Sequence, residues 1–198
     1  GLPMAVSLSL AIYIAERNKS LVWRNYVIPF SCNAQWKTVK GNTLLNKIRS
    51  IFTGDCSNTN LQSVFDLILK RAVTEKVPDI DMPKQLIVIS DMEFDAATNG
   101  DGCWHGTPKT DARLFRIIAN KFAQHGYKMP RLVFWNLNSR TGTIPVKENE
   151  MGVALVSGFS PAVVKMVLSG KLDPYECLLE QINSERYDAV EKALVDLN

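Results

Sequence analysis

The sequence predicts an α/β fold, with an open, doubly wound and mainly parallel sheet that carries helices on both faces. Three apolar runs indicate its strands: Gln85–Ser90, Arg131–Trp135 and Gly152–Ser157. None of them alternates polar with apolar residues, which is typical of strands covered on both faces. Helical segments separate the runs, and parallel strands need such crossovers to return to the same edge of a sheet.

A fourth strand is predicted at Tyr26–Ser31, and we expect it to join the same sheet. Pro29 within this run indicates a strand end or an irregularity, because proline has no N–H to donate to a ladder. In sheets of this kind, ligands bind beyond the carboxyl ends of the strands. We therefore expect functional side chains at the carboxyl edge of the sheet.

The predicted helices have recognisable ends. An N-terminal helix covers Pro3–Glu16, and Thr59 with Gln62 forms a capping box before a second helix. Pro108 after Thr107 begins a third helix, which ends near Gly126. The side chains expected to be buried are Leu61, Val64, Phe65, Ile68 and Ala72 in the second helix, and Leu114, Ile117, Ile118 and Phe122 in the third.

Two proline-initiated helices and a short final one follow the last strand. The first begins at Ser160 and Pro161 and ends at Gly170, and the next begins at Asp173 and Pro174. The final helix is predicted over Glu185–Leu197, with Tyr187, Val190 and Leu194 facing inward. Residues 173–198 are thus expected to form a helical extension of a single domain that covers residues 1–198.

Composition restricts the class of protein. The 198 residues are 46% hydrophobic, which suits one domain with one core. A net charge of +3, with Lys and Arg scattered along the chain, gives only weak support to a nucleic-acid partner. The cysteines, Cys32, Cys56, Cys103 and Cys177, include no Cys-x-x-Cys pair, so we expect reduced thiols. No segment has the roughly 20 apolar residues that a membrane span needs, so a cytoplasmic location is expected.

Acidic side chains follow the strand Gln85–Ser90 directly. Asp91, Glu93 and Asp95 are three carboxylates within five positions, and hard cations such as Mg²⁺ favour oxygen ligands of this kind. The alternative is that strand ends and turns are commonly acidic, and for Glu93 and Asp95 this is the preferred interpretation. For Asp91, at the strand end itself, the two interpretations are evenly balanced.

Thr59 also has two interpretations. Its hydroxyl can cap the helix that follows, which explains the residue on its own, or it can offer the same oxygen to a metal ion. Ser57 and Asn58 are further oxygen donors in this loop, although a solvated turn explains them. His105 follows Cys103 and Trp104 in a glycine-rich segment, where further zinc ligands are lacking, and His125 suits a helix end as a favourable charge.

The common catalytic signatures are absent from the sequence. It contains no Gly-x-Ser-x-Gly elbow, no phosphate-binding Gly-x-x-x-x-Gly-Lys and no Gly-x-Gly-x-x-Gly. The nucleotide-binding and hydrolase classes that depend on these motifs are therefore disfavoured.

The order of these elements resembles a von Willebrand factor A domain, a Rossmann-type fold. Four stretches, residues 58–69, 86–95, 133–137 and 153–161, read NTNLQSVFDLIL, LIVISDMEFD, VFWNL and VALVSGFSP. They resemble an uncharacterised bacterial and viral family whose C-terminal half is thought to be such a domain, distantly similar to the Ro ribonucleoprotein. The resemblance covers nearly the whole chain.

The resemblance implies a metal-ion-dependent adhesion site made by three loops. Thr59 and Asp91 would be the ligands from the second and third loops. The first motif, Asp-x-Ser-x-Ser, and the central strand before it are missing from this sequence, which begins at Gly1. We therefore expect an incomplete site with weak or absent Mg²⁺ binding, in a domain that is N-terminally incomplete.

The function expected from these features is protein binding, with no catalytic residues. A metal ion held by Thr59 and Asp91 would complete its coordination with a carboxylate of a protein partner, and the incomplete sheet could support self-association. One alternative is a magnesium-dependent phosphohydrolase that uses Asp91 and Asp95, although the early Asp-x-Asp nucleophile of such enzymes is missing. Another is an RNA-associated module, which only the analogy with Ro supports.

Overall fold

The computed structural model describes residues 2–29, 34–52, 61–90, 112–137, 154–158, 161–170 and 173–187. Its contacts divide the chain into two compact units, Gly1–Gly158 and Phe159–Asn198. The single domain expected over residues 1–198 stays a prediction.

The first unit mixes helices and strands. Its elements in chain order are helix α1 (Leu2–Arg17), strands β1 (Tyr26–Val27) and β2 (Lys37–Thr38), helices α2 (Leu44–Ile51) and α3 (Leu61–Thr74), a 3-10 turn (Asp79–Asp81), strand β3 (Gln85–Ser90), helix α4 (Ala112–Gln124), and strands β4 (Arg131–Asn136) and β5 (Ala154–Ser157). The N-terminal helix and the three apolar strands are thus confirmed, whereas α2 was not predicted.

A parallel sheet of order β3-β4-β5 is the centre of this unit. Gln85 pairs with Arg131 at one end of the β3–β4 ladder, and Ser90 pairs with Asn136 at the other. The β4–β5 ladder runs from the pair Val133–Ala154 to the pair Asn136–Ser157. The predicted mixed α/β architecture with parallel strands is therefore confirmed for the described residues.

The predicted position of the fourth strand is wrong. Tyr26 and Val27 do not join the parallel sheet but pair antiparallel with Thr38 and Lys37 in a separate ribbon, β1–β2. The ladder ends two residues before Pro29, which has no N–H to extend it. Within the described part of the chain, β1 pairs only with β2 and β3 pairs only with β4, so β1 and β3 do not pair with each other.

The main core lies between α3, α4 and one face of the parallel sheet. Phe65 of α3 meets Phe122 of α4 edge to face, with ring centroids 6.2 Å apart. The sheet contributes alternate residues, Leu86 and Val88 from β3, Leu132 and Phe134 from β4, and Leu155 from β5. All five side chains predicted to be buried on α3 are buried, as are Ile118 and Phe122 of α4. Leu114 lies outside the residues whose side chains are described.

One predicted core residue of α4 is wrong. The side chain of Ile117 is 44% exposed, whereas its neighbour Ile118 is fully buried. Successive residues on a helix are about 100° apart, so at the margin of a buried face one residue can be covered while its neighbour is exposed.

The β1–β2 ribbon is covered by apolar side chains on both of its faces. Val27 and Val39 pack with Ile12, Ala15 and Ile51 of α1 and α2. On the other face, the rings of Trp23, Tyr26 and Trp36 surround the guanidinium of Arg71 on α3, with centroids 5.6, 4.0 and 5.3 Å from its Cζ atom. Trp23 also donates from Nε1 to the carbonyl oxygen of Asp81, at 2.8 Å. These contacts join the ribbon to the helices on either side.

The second unit contains helices α5 (Pro161–Ser169) and α6 (Pro174–Ile182) and a 3-10 turn (Glu185–Tyr187). Asp173 caps α6 as predicted, because its Oδ1 atom accepts hydrogen bonds from the backbone N–H groups of Tyr175 and Glu176. Tyr187 was predicted to face inward but is 46% exposed. The 3-10 turn ends at this residue, and the rest of the predicted final helix lies outside the described residues.

Candidate functional site

The carboxyl edge of the parallel sheet carries three polar residues in register. Ser90 ends β3, Asn136 ends β4 and Ser157 ends β5, and Asn136 is the ladder partner of both serines. Adjacent strands in a sheet are less than about 5 Å apart. The three positions therefore form one continuous row across the edge where ligands bind in open α/β sheets.

This row continues the face of the sheet that packs on α3 and α4. Side chains alternate between the two faces of a strand, so residues two apart share a face. Phe134 and Leu155 of that face belong to the main core, and Asn136 and Ser157 come two residues after them. Ser90 holds the corresponding backbone position after Val88. The covered face thus changes from apolar to polar at the same level in β4 and β5, and the sequence of β3 has a serine at the corresponding position.

Asn136 is the most informative residue of this row. Its Oδ1 atom is buried, and it has no hydrogen-bond partner within the part of the chain that the structure describes. A buried acceptor without a donor costs roughly 1–3 kcal/mol relative to its hydrated state. Such an atom is commonly explained by a ligand, an ion or a water that satisfies it.

The turn after β5 fixes the backbone around Asn136. The N–H of Gly158 donates to the carbonyl oxygen of Asn136 at 3.0 Å, and the Nε1 atom of Trp135 donates to the carbonyl oxygen of Gly158 at 2.6 Å. Gly158 has φ +93°, a left-handed value that favours glycine. Because Trp135 is fully buried, its hydrogen bond to Gly158 ties the end of β5 to the buried part of β4.

The N-terminal ends of helices α3 and α4 are directed toward this edge of the sheet. The hydroxyl of Tyr127, shortly before β4, lies 3.2 Å from the carbonyl oxygen of Ala72 and 3.0 Å from that of Val77. This contact places the C-terminal end of α3 at the edge of the sheet where β4 starts. Helix α4 ends at the same edge, because it leads directly into β4. Both helices therefore direct their N-terminal ends, which favour negative charge, toward the carboxyl edge.

The predicted metal ligands lie next to this edge in the sequence but outside the described residues. Asp91 follows Ser90 directly, and Thr59 precedes the first residue of α3 by two positions. The other polar residues considered in these loops, Ser57, Asn58, Glu93, Asp95 and His105, are also outside the described part, as are the four cysteines or their side chains. His125 is described, and it lies exposed just after α4 as expected.

Two kinds of feature are absent from the described residues. No group of three or more His, Cys, Asp or Glu side chains in this part of the chain could hold a metal ion. No helix among the same residues is long and apolar enough to cross a membrane.

Asn136 and Ser157 are candidate site residues that the sequence alone does not predict. A signal was present, because each apolar strand run ends in a polar residue, as in QLIVIS, RLVFWN and ALVS. Without the register, this signal cannot be distinguished from the polar residues that ordinarily begin a loop. The ladder pairs Ser90–Asn136 and Asn136–Ser157 show that the three polar positions are neighbours at one edge of the sheet.

The described chain is thus a mixed α/β protein with a three-stranded parallel sheet and a polar carboxyl edge. It belongs to the family described as a domain of unknown function, DUF7788, whose model matches residues 1–195. A curated relative, uncharacterized protein L728 of Acanthamoeba polyphaga mimivirus, is 30% identical over 201 residues. The match covers 95% of this chain and 33% of the relative, so the chain spans about a third of that protein's length. No solved structure matches the chain.

Proposed function

We propose that this domain is a protein-binding module of von Willebrand factor A type. A divalent cation at the carboxyl edge of the sheet would be held by Thr59 and Asp91 and would complete its coordination with a carboxylate of a partner protein. One observation carries the proposal: the parallel strands end in a continuous polar row, Ser90, Asn136 and Ser157. Asp91 follows the first residue of that row.

The residues of the row suit a hard cation. Mg²⁺ prefers oxygen ligands such as carboxylates, amide carbonyls and water, and the buried Oδ1 atom of Asn136 is an oxygen that lacks a donor among the described residues. A bound Mg²⁺ would supply a coordination position that a carboxylate of the partner can fill. The side chains of this chain would fix where that position lies and would exclude water from one side of it.

The strand pairing supports the finer fold assignment. In the von Willebrand factor A fold that the sequence resembles, the first strand lies between the strands that correspond to β1 and β3. Within the described residues, β3 pairs with β4 only and β1 pairs with β2 only, and α1 contacts both β1 and β3. A strand from elsewhere in a longer polypeptide, or from a second molecule, would satisfy the outer edge of β3.

Metal binding tests the proposal directly. We expect the chain to bind Mn²⁺, used in place of Mg²⁺ because its electron paramagnetic resonance signal reports the unbound ion, with a dissociation constant in the millimolar range. Asp91→Ala should abolish this binding, because it removes the charged ligand. Adding an upstream strand with an Asp-x-Ser-x-Ser segment should strengthen it, and calorimetry can follow the tighter complex.

Glu75→Gln is the matched control, since it removes an exposed carboxylate at the far end of α3. It should leave Mn²⁺ binding unchanged. The proposal fails if the extended chain binds no divalent ion, or if it binds equally well after Asp91→Ala. Asp91 would then be only a carboxylate at a strand end.

A further inference from the structure

Residues 17–52 form a strongly basic segment. Lys and Arg occur along the whole chain, but Asp and Glu are missing from this segment, which contains seven basic residues. The rest of the chain has 16 basic and 20 acidic residues. The net charge of +3 is therefore the sum of a basic segment and a slightly acidic remainder. A concentration of one charge sign favours a partner of the opposite sign.

The elements that carry these charges pack against one another. Helix α1 contacts β1 and α2, and α2 contacts β2. Lys47 of α2 forms an ion pair with Glu16 of α1. The N–H of Lys40, which follows β2 closely, donates to the hydroxyl oxygen of Ser50 on α2 at 3.0 Å. The basic residues at the end of α1, near the ribbon and on α2 thus belong to one packed body.

Most of these charges face solvent without an acidic partner. Of the seven basic residues, only Lys47 pairs with a carboxylate within the described part of the chain. Five of the seven are exposed, namely Arg17, Lys19, Arg24, Lys40 and Arg49. Side chains of this chain that the structure describes therefore leave most of the positive charge available to a partner.

Helix α2 also exposes large apolar side chains beside these charges. Leu44, Leu45 and Phe52 are each 55% exposed. Leu45 and Arg49 are about one turn apart, and Phe52 ends the helix three residues later, so the three lie along one side of α2. Ile51, on another side, is buried against α1 and the ribbon. The outer side of α2 therefore combines apolar side chains with a cation.

We propose that Lys40, Leu44, Leu45, Arg49 and Phe52 form a basic-apolar surface that binds membranes containing anionic lipids. Helices that lie in a membrane interface combine Lys or Arg with exposed Leu or Phe. The apolar side chains enter the boundary between headgroups and acyl chains, while the cations stay at the lipid phosphates.

A nucleic acid fits this surface less well than a lipid surface does. Its phosphates would account for the exposed cations, but they offer nothing to Leu44 and Leu45. The inference is independent of the cation proposed at the carboxyl edge of the parallel sheet, because none of its residues belongs to that edge.

Sedimentation of the purified chain with lipid vesicles tests the inference. We expect the chain to sediment with phosphatidylcholine vesicles that contain about one third phosphatidylserine, and not with vesicles of phosphatidylcholine alone. Added salt should weaken this binding, because ions screen the attraction between exposed charges.

Two double substitutions separate the contribution of charge from that of apolar contact. The charge-reversal variant, Lys40→Glu with Arg49→Glu, should bind anionic vesicles at least about 25-fold more weakly, since each basic residue near such a surface contributes roughly a fivefold change in affinity. The polar variant, Leu45→Ser with Phe52→Ser, keeps every charge and should bind at least about tenfold more weakly. Circular dichroism checks that both variants fold.

Lys70→Glu and Ile80→Ser are the matched controls. Lys70 is an exposed lysine on α3. Ile80 is 87% exposed, but it lies between Asp79 and Asp81, so its surroundings are acidic. Both controls should sediment with anionic vesicles as the unsubstituted chain does.

The inference is wrong if the chain binds neither kind of vesicle or binds both equally. Full binding by the polar variant, or an equal loss of binding in the controls, also overturns it. Fluorescence anisotropy with labelled poly(U) RNA covers the nucleic-acid alternative. RNA binding that the polar variant keeps and the charge-reversal variant loses, without binding to anionic vesicles, would assign this surface to a nucleic acid instead.

Discussion

Strand β4 of the parallel sheet and strand β1 of the β1–β2 ribbon come from apolar runs of similar appearance, but different contacts hold the sheet and the ribbon. In β4, which pairs with β3 on one side and with β5 on the other, four consecutive residues from Leu132 to Trp135 are buried. In the ribbon, all four paired residues remain partly exposed, and aromatic rings around Arg71 join it to α3. The burial of a strand therefore reflects how many elements surround it more than the hydrophobicity of its own run.

The largest effect should come from the centre of the sheet. Trp135→Ala removes a fully buried side chain and its hydrogen bond to Gly158, and we expect a loss of about 3–5 kcal/mol in the free energy of unfolding. Urea titration followed by circular dichroism measures it. Leu21→Ala, at a side chain that is 78% exposed, is the control and should change stability by less than about 0.5 kcal/mol. A loss below about 1 kcal/mol for Trp135→Ala would contradict the description of the parallel sheet as the centre of its unit.

A smaller effect is expected at the ribbon. Arg71→Met keeps an unbranched apolar chain but removes the cation from the rings of Trp23, Tyr26 and Trp36, and should cost about 1–2 kcal/mol. Urea unfolding followed by tryptophan fluorescence measures the loss, because two of these rings are tryptophans.

The ion pair of Arg71 with Glu75 must be separated from the ring contacts. Glu75→Gln breaks that pair alone, in which Nε lies 2.9 Å from Oε1, and should cost only about 0.2–0.5 kcal/mol. If both substitutions cost the same, the rings contribute nothing and the ribbon is held in another way.

A smaller effect than that of Arg71→Met is expected where the two helices over the sheet meet at the surface. Nζ of Lys121 on α4 lies 2.9 Å from Oδ1 of Asp66 on α3, and these side chains are 39% and 44% exposed. A double-mutant cycle with Asp66→Ala and Lys121→Ala should give a coupling energy below about 1 kcal/mol that falls with added salt. A larger, salt-independent coupling would show that this contact, and not only the core beneath it, joins the helices.

Much of the main core could be predicted from periodicity. The spacing of Leu61, Val64, Phe65, Ile68 and Ala72 identifies one face of a helix, and all five are buried. The runs at β3, β4 and β5 identify strands, because continuous apolar segments of this length suit a sheet that is covered on both faces. Asp173 was recognised as a cap because that interaction is local, spanning two and three residues.

What could not be predicted depends on contacts between distant segments. Tyr26 and Val27 look like part of the main sheet, but their partners, Thr38 and Lys37, come from a stretch without an apolar run. Ile117 and Ile118 are equally apolar, and only the angle at which α4 rests on the sheet decides which is buried. Asn136 is placed between Ser90 and Ser157 only by the register of β3, β4 and β5, which the sequence of one strand does not contain.

The hydroxyl of Tyr127 has a consequence for the order of folding. It contacts carbonyl oxygens that are 55 and 50 residues away in sequence, so a loop of that length must close before the contact can form, at an entropic cost that grows with the logarithm of loop length. Helices α3 and α4 are local and can form early, whereas the parallel ladders and this hydroxyl contact are non-local. We therefore expect docking of α3 beside the start of β4 to be a late event, so that the carboxyl edge takes its final shape only after the opposite end of the sheet has been joined.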